Sequence, residues 1–177
     1  MKHLRSFKGD PGMERKVLNA WMLRSVRAVN GHYESAREFE WRARWLSVTA
    51  LFATLLAAVL TALILAVPDR LALRIVAAVM GVVATALGLL QANLDLAGRA
   101  ERHRAAGSGY SRVRRELEAL SKLRGNVLDS RDFRDLEHLY SEISRSAPTI
   151  PEKVWKNVLD EYQKDEEELI LWPAAET

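Results

Sequence analysis

The chain has 177 residues, a formal net charge of +3 at pH 7 and charged side chains at 28% of its positions. It contains no cysteine, which excludes disulfide bonds, thiolate nucleophiles and cysteine-ligated metal sites. The overall composition would suit an ordinary soluble protein, but it averages an apolar middle with two highly charged ends. The distribution of charge along the chain is therefore more informative than its sum.

The apolar middle consists of two uncharged runs separated by seven residues. Residues 45–67 form a run of 23 and residues 75–94 a run of 20. As helices with about 1.5 Å of rise per residue, they would be roughly 34 and 30 Å long. The hydrocarbon core of a bilayer is about 30 Å thick, so each run predicts a transmembrane span.

The alternative is a soluble protein with two buried apolar helices. Near the centre of a span, each Leu, Ile, Val or Phe favours insertion by about 0.3 to 0.6 kcal/mol. The first run contains twelve such residues and gains roughly 4 to 7 kcal/mol. The second contains nine and gains roughly 3 to 5 kcal/mol, offset in part by Gln91 and Asn93. Insertion is predicted for both runs, and the second span is the weaker one.

Basic residues predict the orientation of the two spans. Nine arginines flank the outer ends of the runs: Arg27, Arg37, Arg42, Arg44, Arg99, Arg102, Arg104, Arg112 and Arg114. The connecting turn has only Arg70 and Arg74. The positive-inside rule then places both termini in the cytoplasm and the turn outside. We therefore expect a multi-pass protein of the inner (plasma) membrane with a helical hairpin as its centre.

Four residues are predicted to anchor the hairpin at the cytoplasmic interface. Trp41 and Trp45 have the amphipathic rings that favour the headgroup region, and Arg42 and Arg44 supply charge beside them. The excess of basic charge near the spans favours anionic lipid as a partner, and nucleic acid is not expected.

The segment before the first span reads as helical. Asp10 and Pro11 are typical of a helix start. Asn30-Gly31 predicts a break or kink. From His32 the helical pattern continues without interruption into the first span, which predicts that this span extends into the cytoplasm as a stalk.

The segment after the second span also has helical periodicity. Gly107-Ser108-Gly109 predicts a small loop. Two apolar stripes follow: Tyr110, Val113, Leu117, Leu120 and Leu123, then Phe133, Leu136, Tyr140 and Ile143. Residues 147–151 precede a last helix. No segment has strand periodicity, so the predicted fold is all-α: a cytoplasmic helical segment (residues 1–44), a transmembrane hairpin (45–97) and a C-terminal cytoplasmic helical region (98–177).

Enzymatic chemistry has little support in the sequence. The four histidines are scattered, and none lies three or four residues from another. His138, near Asp135 and Glu137, could form a weak metal cluster, but a solvent-facing histidine is the favoured interpretation. Phosphate-binding loops and nucleophile elbows are missing. We therefore expect a protein that is not an enzyme and binds no cofactor or metal.

Small residues at four-residue spacing suggest where the spans pack. Such rows let helix backbones approach closely in a bilayer, where no hydrophobic force drives association. The candidates for packing or assembly are Ala50, Thr54, Ala58 and Ala62 in the first span and Ala77, Gly81, Thr85 and Gly88 in the second. One row per helix would hold the hairpin together, and the surplus on the second span suggests contacts between subunits of a homo-oligomer.

The assembled pattern resembles the SLATT family. This family comprises two-transmembrane effector domains associated with SMODS nucleotidyltransferases and SLOG sensor domains in bacterial conflict systems. The resemblance covers roughly residues 15–160. It rests on the order of elements and on three short motifs: His32-Tyr33 with Ala36-Arg37, the stretch YSRVRREL at 110–117, and Ala147-Pro148 with Ile150-Pro151.

The resemblance implies a pore-forming or membrane-disrupting effector in antiviral defence that halts or kills an infected cell. A nucleotide-sensing or nucleotide-synthesising partner would trigger it. We expect no fused sensor on this chain, so that its trigger would act in trans.

Physical arguments agree with part of this expectation. Two helices cannot enclose a water path, so a pore requires several subunits. Thr49, Thr54, Thr61 and Thr85 are candidate polar linings, and the alternative for each is a hydrogen bond to a carbonyl of its own helix. The alternative function is a membrane-anchored helical scaffold or adaptor without pore activity.

Overall fold

The computed structural model describes residues 11–66, 70–123 and 130–169. Two residues of the connecting turn, 68 and 69, and the side chains of Leu123 and Phe133 lie outside the described part of the chain. Five helices, and no strand, occur in the described ranges: α1 (Pro11–Ala66), α2 (Leu71–Leu94), α3 (Leu96–Leu123), α4 (Ser130–Ser146) and α5 (Glu152–Leu169). The all-α prediction is confirmed for these residues.

Helix α1 is continuous over 56 residues, about 84 Å at the usual rise. It begins at Pro11, as predicted, and the predicted continuation of the helix on the N-terminal side of the first span is confirmed. The predicted break at Asn30-Gly31 is wrong. Gly31 is buried in mid-helix, where an added Cβ would lie 2.8 Å from Cδ1 of Ile150. The glycine thus permits close packing of the segment before α5, and the Asn30 amide donates a hydrogen bond to the Tyr162 hydroxyl.

The break after the second span lies at Asp95, between α2 and α3. Asp95 has φ 43° and ψ 44°, the left-handed conformation that ends a helix. Its carbonyl accepts a hydrogen bond from the Arg99 amide (2.9 Å), and its carboxylate accepts one from the Gly98 amide (3.2 Å). Asp95 therefore ends α2 and caps the start of α3.

The predicted loop at Gly107-Ser108-Gly109 is wrong, because these residues lie inside α3. An added Cβ on Gly107 would lie 3.3 Å from the ring of Tyr33, and one on Gly109 would lie 3.1 Å from the Ile143 side chain. The two glycines meet close neighbours on the helices packed against α3. Tertiary packing, rather than a turn, accounts for them.

The chain divides into two compact units. We call the described residues of Met1–Ala36 and Glu101–Thr177 the helical unit, and Arg37–Ala100 the span unit. The main core of the helical unit consists of Leu18, Val113, Leu117 and Leu136. Val113 and Leu117 are 0% and 2% exposed. Leu117 of the first predicted stripe and Leu136 of the second thus pack with Leu18 near the start of α1. Tyr110 of the first stripe belongs to a second cluster, with Ala28 and Val29.

The span unit contains two helices that are long and apolar enough to cross a membrane. In their most apolar windows, only 11% and 6% of the residues are buried. A core helix of a soluble protein would be mostly buried, so the first alternative raised by the sequence does not fit these helices. Their outward faces are lined by large apolar side chains, among them Leu51, Phe52, Leu65, Val79 and Val82.

Candidate functional site

The two apolar helices of the span unit contact each other along one narrow seam. Its buried and half-buried residues alternate at spacings of three and four, which is the period of coiled-coil packing. They are Leu46, Ala50, Ala53, Ala57, Leu60 and Ile64 on α1 and Leu73, Ala77, Met80, Ala84 and Leu87 on α2. Ala53 and Ala77 are the most buried, at 7% and 8% exposure. The side-chain amide of Gln91 donates to the Ser47 hydroxyl at 3.0 Å.

The small residues predicted for packing divide between this seam and the outer surface. Ala50 and Ala77 lie in the seam, and Gly81 is half-buried at its edge. The others are exposed on the outside: Thr54, Ala58, Ala62, Thr85 and Gly88. An added Cβ on Gly81 or Gly88 would meet nothing within 4 Å. These two glycines are therefore not required by packing within the chain, and their role between subunits stays a prediction.

The four candidate lining threonines bind their own helices. The hydroxyls of Thr49, Thr54 and Thr61 each donate to the carbonyl four residues earlier at 2.8 Å, and that of Thr85 does so at 2.9 Å. The alternative raised by the sequence is thus confirmed for all four. Each hydroxyl oxygen still has lone pairs for water, but none needs a partner from another helix.

The predicted interface anchors lie on the surface of α1. Trp41 and Trp45 are 61% and 56% exposed, and their rings meet edge to face with centroids 5.9 Å apart. Arg42 forms an ion pair with Glu38, one turn earlier, and Arg44 is exposed. Exposed indole rings beside arginines are suited to the headgroup region of a bilayer.

The helical unit contains a buried histidine pair that joins α1 to α3. His32 and His103 are each 3% exposed, and their Nδ1 atoms lie 3.0 Å apart. At this distance one neutral ring donates its Nδ1 proton to the other. Tyr110 stacks on His32 with ring centroids 5.4 Å apart and planes 15° apart.

The stack continues into α4 and back to α1. Tyr110 meets Tyr140 edge to face at 5.3 Å, and Tyr140 meets Trp21 in the same way at 5.4 Å. Five rings from three helices thus form one continuous contact. Aromatic pairs of this geometry stabilise beyond their buried area by about 0.5 to 1.5 kcal/mol each.

Burial keeps the two histidine rings neutral. It lowers the pKa of His32 to about 4, with a further lowering from His103. Burial also lowers the pKa of His103, and Arg102 opposes charge on this ring as well. In the same stack, burial and Tyr110 raise the pKa of Tyr140 against the opposing effect of Arg24. His32, His103 and Tyr140 are therefore uncharged at neutral pH.

Sequence reasoning missed this pair because its members are 71 residues apart. A signal was present in the stripes. His103 lies seven residues before Tyr110 and so extends the apolar stripe of α3 by two turns. Extending the α3 stripe by two turns towards the start of the helix would have placed His103 in the core.

Neither metal binding nor known relatives assign a function. Among the described residues, no group of three or more His, Cys, Asp or Glu side chains could hold a metal ion. His138, the candidate for a weak cluster, is exposed. No family model, curated protein or solved structure matches the chain.

Proposed function

We propose that this protein is a two-span integral membrane protein whose subunits assemble into a pore. The single observation that carries the proposal of two membrane spans is the exposure of the apolar helices. Only 11% and 6% of the residues in their most apolar windows are buried. A water-exposed surface of this kind is unfavourable over its whole length, whereas lipid solvates it without cost. The arginines flanking the outer ends favour a hairpin with both termini in the cytoplasm of a bacterial inner membrane.

The pore proposal rests on the large part of each span's surface that the seam leaves exposed. Two helices in contact along one seam enclose no water path, so conduction requires several copies. The exposed small-residue face around Thr85 and Gly88 would let neighbouring backbones approach. The resemblance to SLATT effectors supports the same proposal. The helical unit would then receive the signal, with a nucleotide-sensing or nucleotide-synthesising protein as the proposed partner.

A membrane-anchored scaffold is the second candidate, and one observation favours it. The hydroxyls of the four span threonines all donate within their own helices, so none of these four groups demands a water path. In this case the hairpin would act only as an anchor, and the helical unit would bind a partner protein.

Leakage from liposomes separates the two candidates. We expect the purified chain, reconstituted at rising protein-to-lipid ratio, to release an entrapped dye and to cross-link as oligomers. Gly88→Leu or Gly81→Leu should keep insertion, because Leu favours the membrane. Each should reduce both cross-linking and leakage by roughly 5- to 30-fold, the change in the association constant that corresponds to a lost helix contact of about 1 to 2 kcal/mol.

The matched control is Val82→Leu, which adds bulk to the same helix at a residue that is 70% exposed. It should cross-link and leak like wild type. Oligomers without leakage in the wild-type protein would support the scaffold. Unchanged oligomers and leakage in both glycine variants would show that the glycines face lipid and that the proposed assembly face is wrong.

A further inference from the structure

The contact between α1 and α3 differs in character along its length. At one end it is made by the large apolar side chains of Leu18 and Leu117. Around the histidine pair, four buried neighbours are small or polar: Ser35, Ala36, Ala106 and Gly107. The large buried side chain beside the pair is Tyr110, which stacks on His32. Small side chains contribute little apolar area, so the two histidine rings and Tyr110 provide much of what joins the helices there.

Neighbouring groups oppose a positive charge on the pair. On α3, Arg102 acts against charge on His103. His103 in turn acts against charge on His32 of α1. Tyr110 of α3 and, behind it, Tyr140 of α4 present aromatic rings to the pair. Because both histidines are also buried, a proton added to the closed pair is poorly solvated and is repelled by these charges.

Exposed imidazoles accept protons readily, whereas this closed pair does not. If α1 and α3 separate locally, both rings gain water and take up protons with the ordinary pKa of about 6.5. Acid then stabilises the opened form relative to the closed one by mass action.

We propose that the His32–His103 pair is a proton-operated latch that closes α1 on α3 while both rings are neutral and opens this end of the helical unit in acid. The core residues Leu18, Val113, Leu117 and Leu136 are aliphatic and hold the other end closed. The latch is a local device and does not depend on whether the protein forms a pore.

The pH window follows from the lowered pKa. A group whose pKa is lower in the folded state contributes stability that is complete above the unfolded pKa of about 6.5 and is lost as the pH falls towards the folded value. For His32 that folded value is about 4. Proton uptake by His32 alone raises the equilibrium constant for local opening about tenfold between pH 7.5 and 5.5, and about 30-fold between pH 7.5 and 5.

Hydrogen exchange of the full chain in detergent micelles tests the latch. We expect amides of α1 and α3 flanking His32 and His103 to show the about tenfold rise in opening constant from pH 7.5 to 5.5, after correction for intrinsic exchange. Amides near Leu18 and Leu117 should change by less than about threefold in the same samples. The control variant His138→Gln, at an exposed histidine of α4, should behave like wild type.

The double variant His32→Gln/His103→Gln should lose the acid-dependent rise at this end. An equal rise in the double variant, or none in wild type, would overturn the proposal. Where the double variant fails to fold, ring-nitrogen NMR of the wild-type chain decides instead. A neutral His32 ring in the folded protein at about pH 5.5 supports the latch, and a charged ring contradicts it.

Discussion

Replacing Val79 and Val83 by lysine is expected to expel α2 from the membrane and to carry the C-terminal helices to the other side. Each central lysine costs about 2.5 to 3.5 kcal/mol on the insertion scale, and each lost valine adds a few tenths. The total of roughly 6 to 8 kcal/mol exceeds the roughly 3 to 5 kcal/mol that the second span gains from its apolar residues. Both valines are exposed on α2, at 55% and 40%, so the substitutions leave the seam with α1 intact.

Because the chain has no native cysteine, an introduced cysteine is its only site for thiol labelling. In a Ser144→Cys background, at an exposed residue of α4, the only thiol reports which side of the membrane the C-terminal helices occupy. A membrane-impermeant maleimide should label it in intact cells expressing the lysine variant, but only after lysis in the parent protein. The control Val79→Leu/Val83→Leu should match the parent. Protection of the thiol in the lysine variant would show that α2 does not depend on its apolar face for its position.

Leu117→Ala is expected to loosen the core of the helical unit. Leu117 is 2% exposed and packs with Leu18, Val113 and Leu136. Truncating a leucine at such a site costs about 2 to 5 kcal/mol, from lost burial and from the cavity left behind. The opening constant of α3 amides should therefore rise by about 30-fold to several thousandfold.

Hydrogen exchange of the full chain in micelles gives this opening constant directly. Glu116→Ala is the control, since it changes the exposed neighbour on the same helix and should shift exchange by less than about threefold. Equal exchange rates in the two variants would mean that Leu117 is not part of a stabilising core.

The parts of the fold that sequence predicts well are those with local causes. The two uncharged runs predict the apolar helices because a 20-residue uncharged segment needs no tertiary information to be recognised. Pro11 marks the start of α1 for a similar reason, since its ring favours the first turn of a helix. The uninterrupted pattern after His32 likewise predicts one long helix.

The errors arise where tertiary contacts override local preference. The local pattern predicts breaks at Gly31 and Gly107, yet both lie inside helices, where a Cβ would approach the side chains of Ile150 and Tyr33 closely. The actual break falls at Asp95, an aspartate in a conformation that glycine usually adopts, and no local pattern marks it. At both positions the glycine marks close packing against a neighbouring side chain and not a turn.

The histidine pair and the seam illustrate a second limit. Pairing His32 with His103 requires the register of α1 against α3, which one sequence without homologues does not contain. The seam follows a spacing of alternating three and four, whereas the predicted small-residue rows follow a spacing of four. Both spacings are present in an alanine-rich span, and only the packed structure selects between them.

We propose that the two apolar helices cross the membrane as a hairpin with both ends in the cytoplasm. Fusing a paired reporter, active as a fluorescent protein only inside and as a phosphatase only outside, before Met1 and, separately, after Thr177 tests this topology most directly. The proposed topology predicts fluorescence and no phosphatase activity from both fusions in a bacterial host. Phosphatase activity from one end alone would show that one span does not insert, and phosphatase activity from both ends would show the opposite orientation.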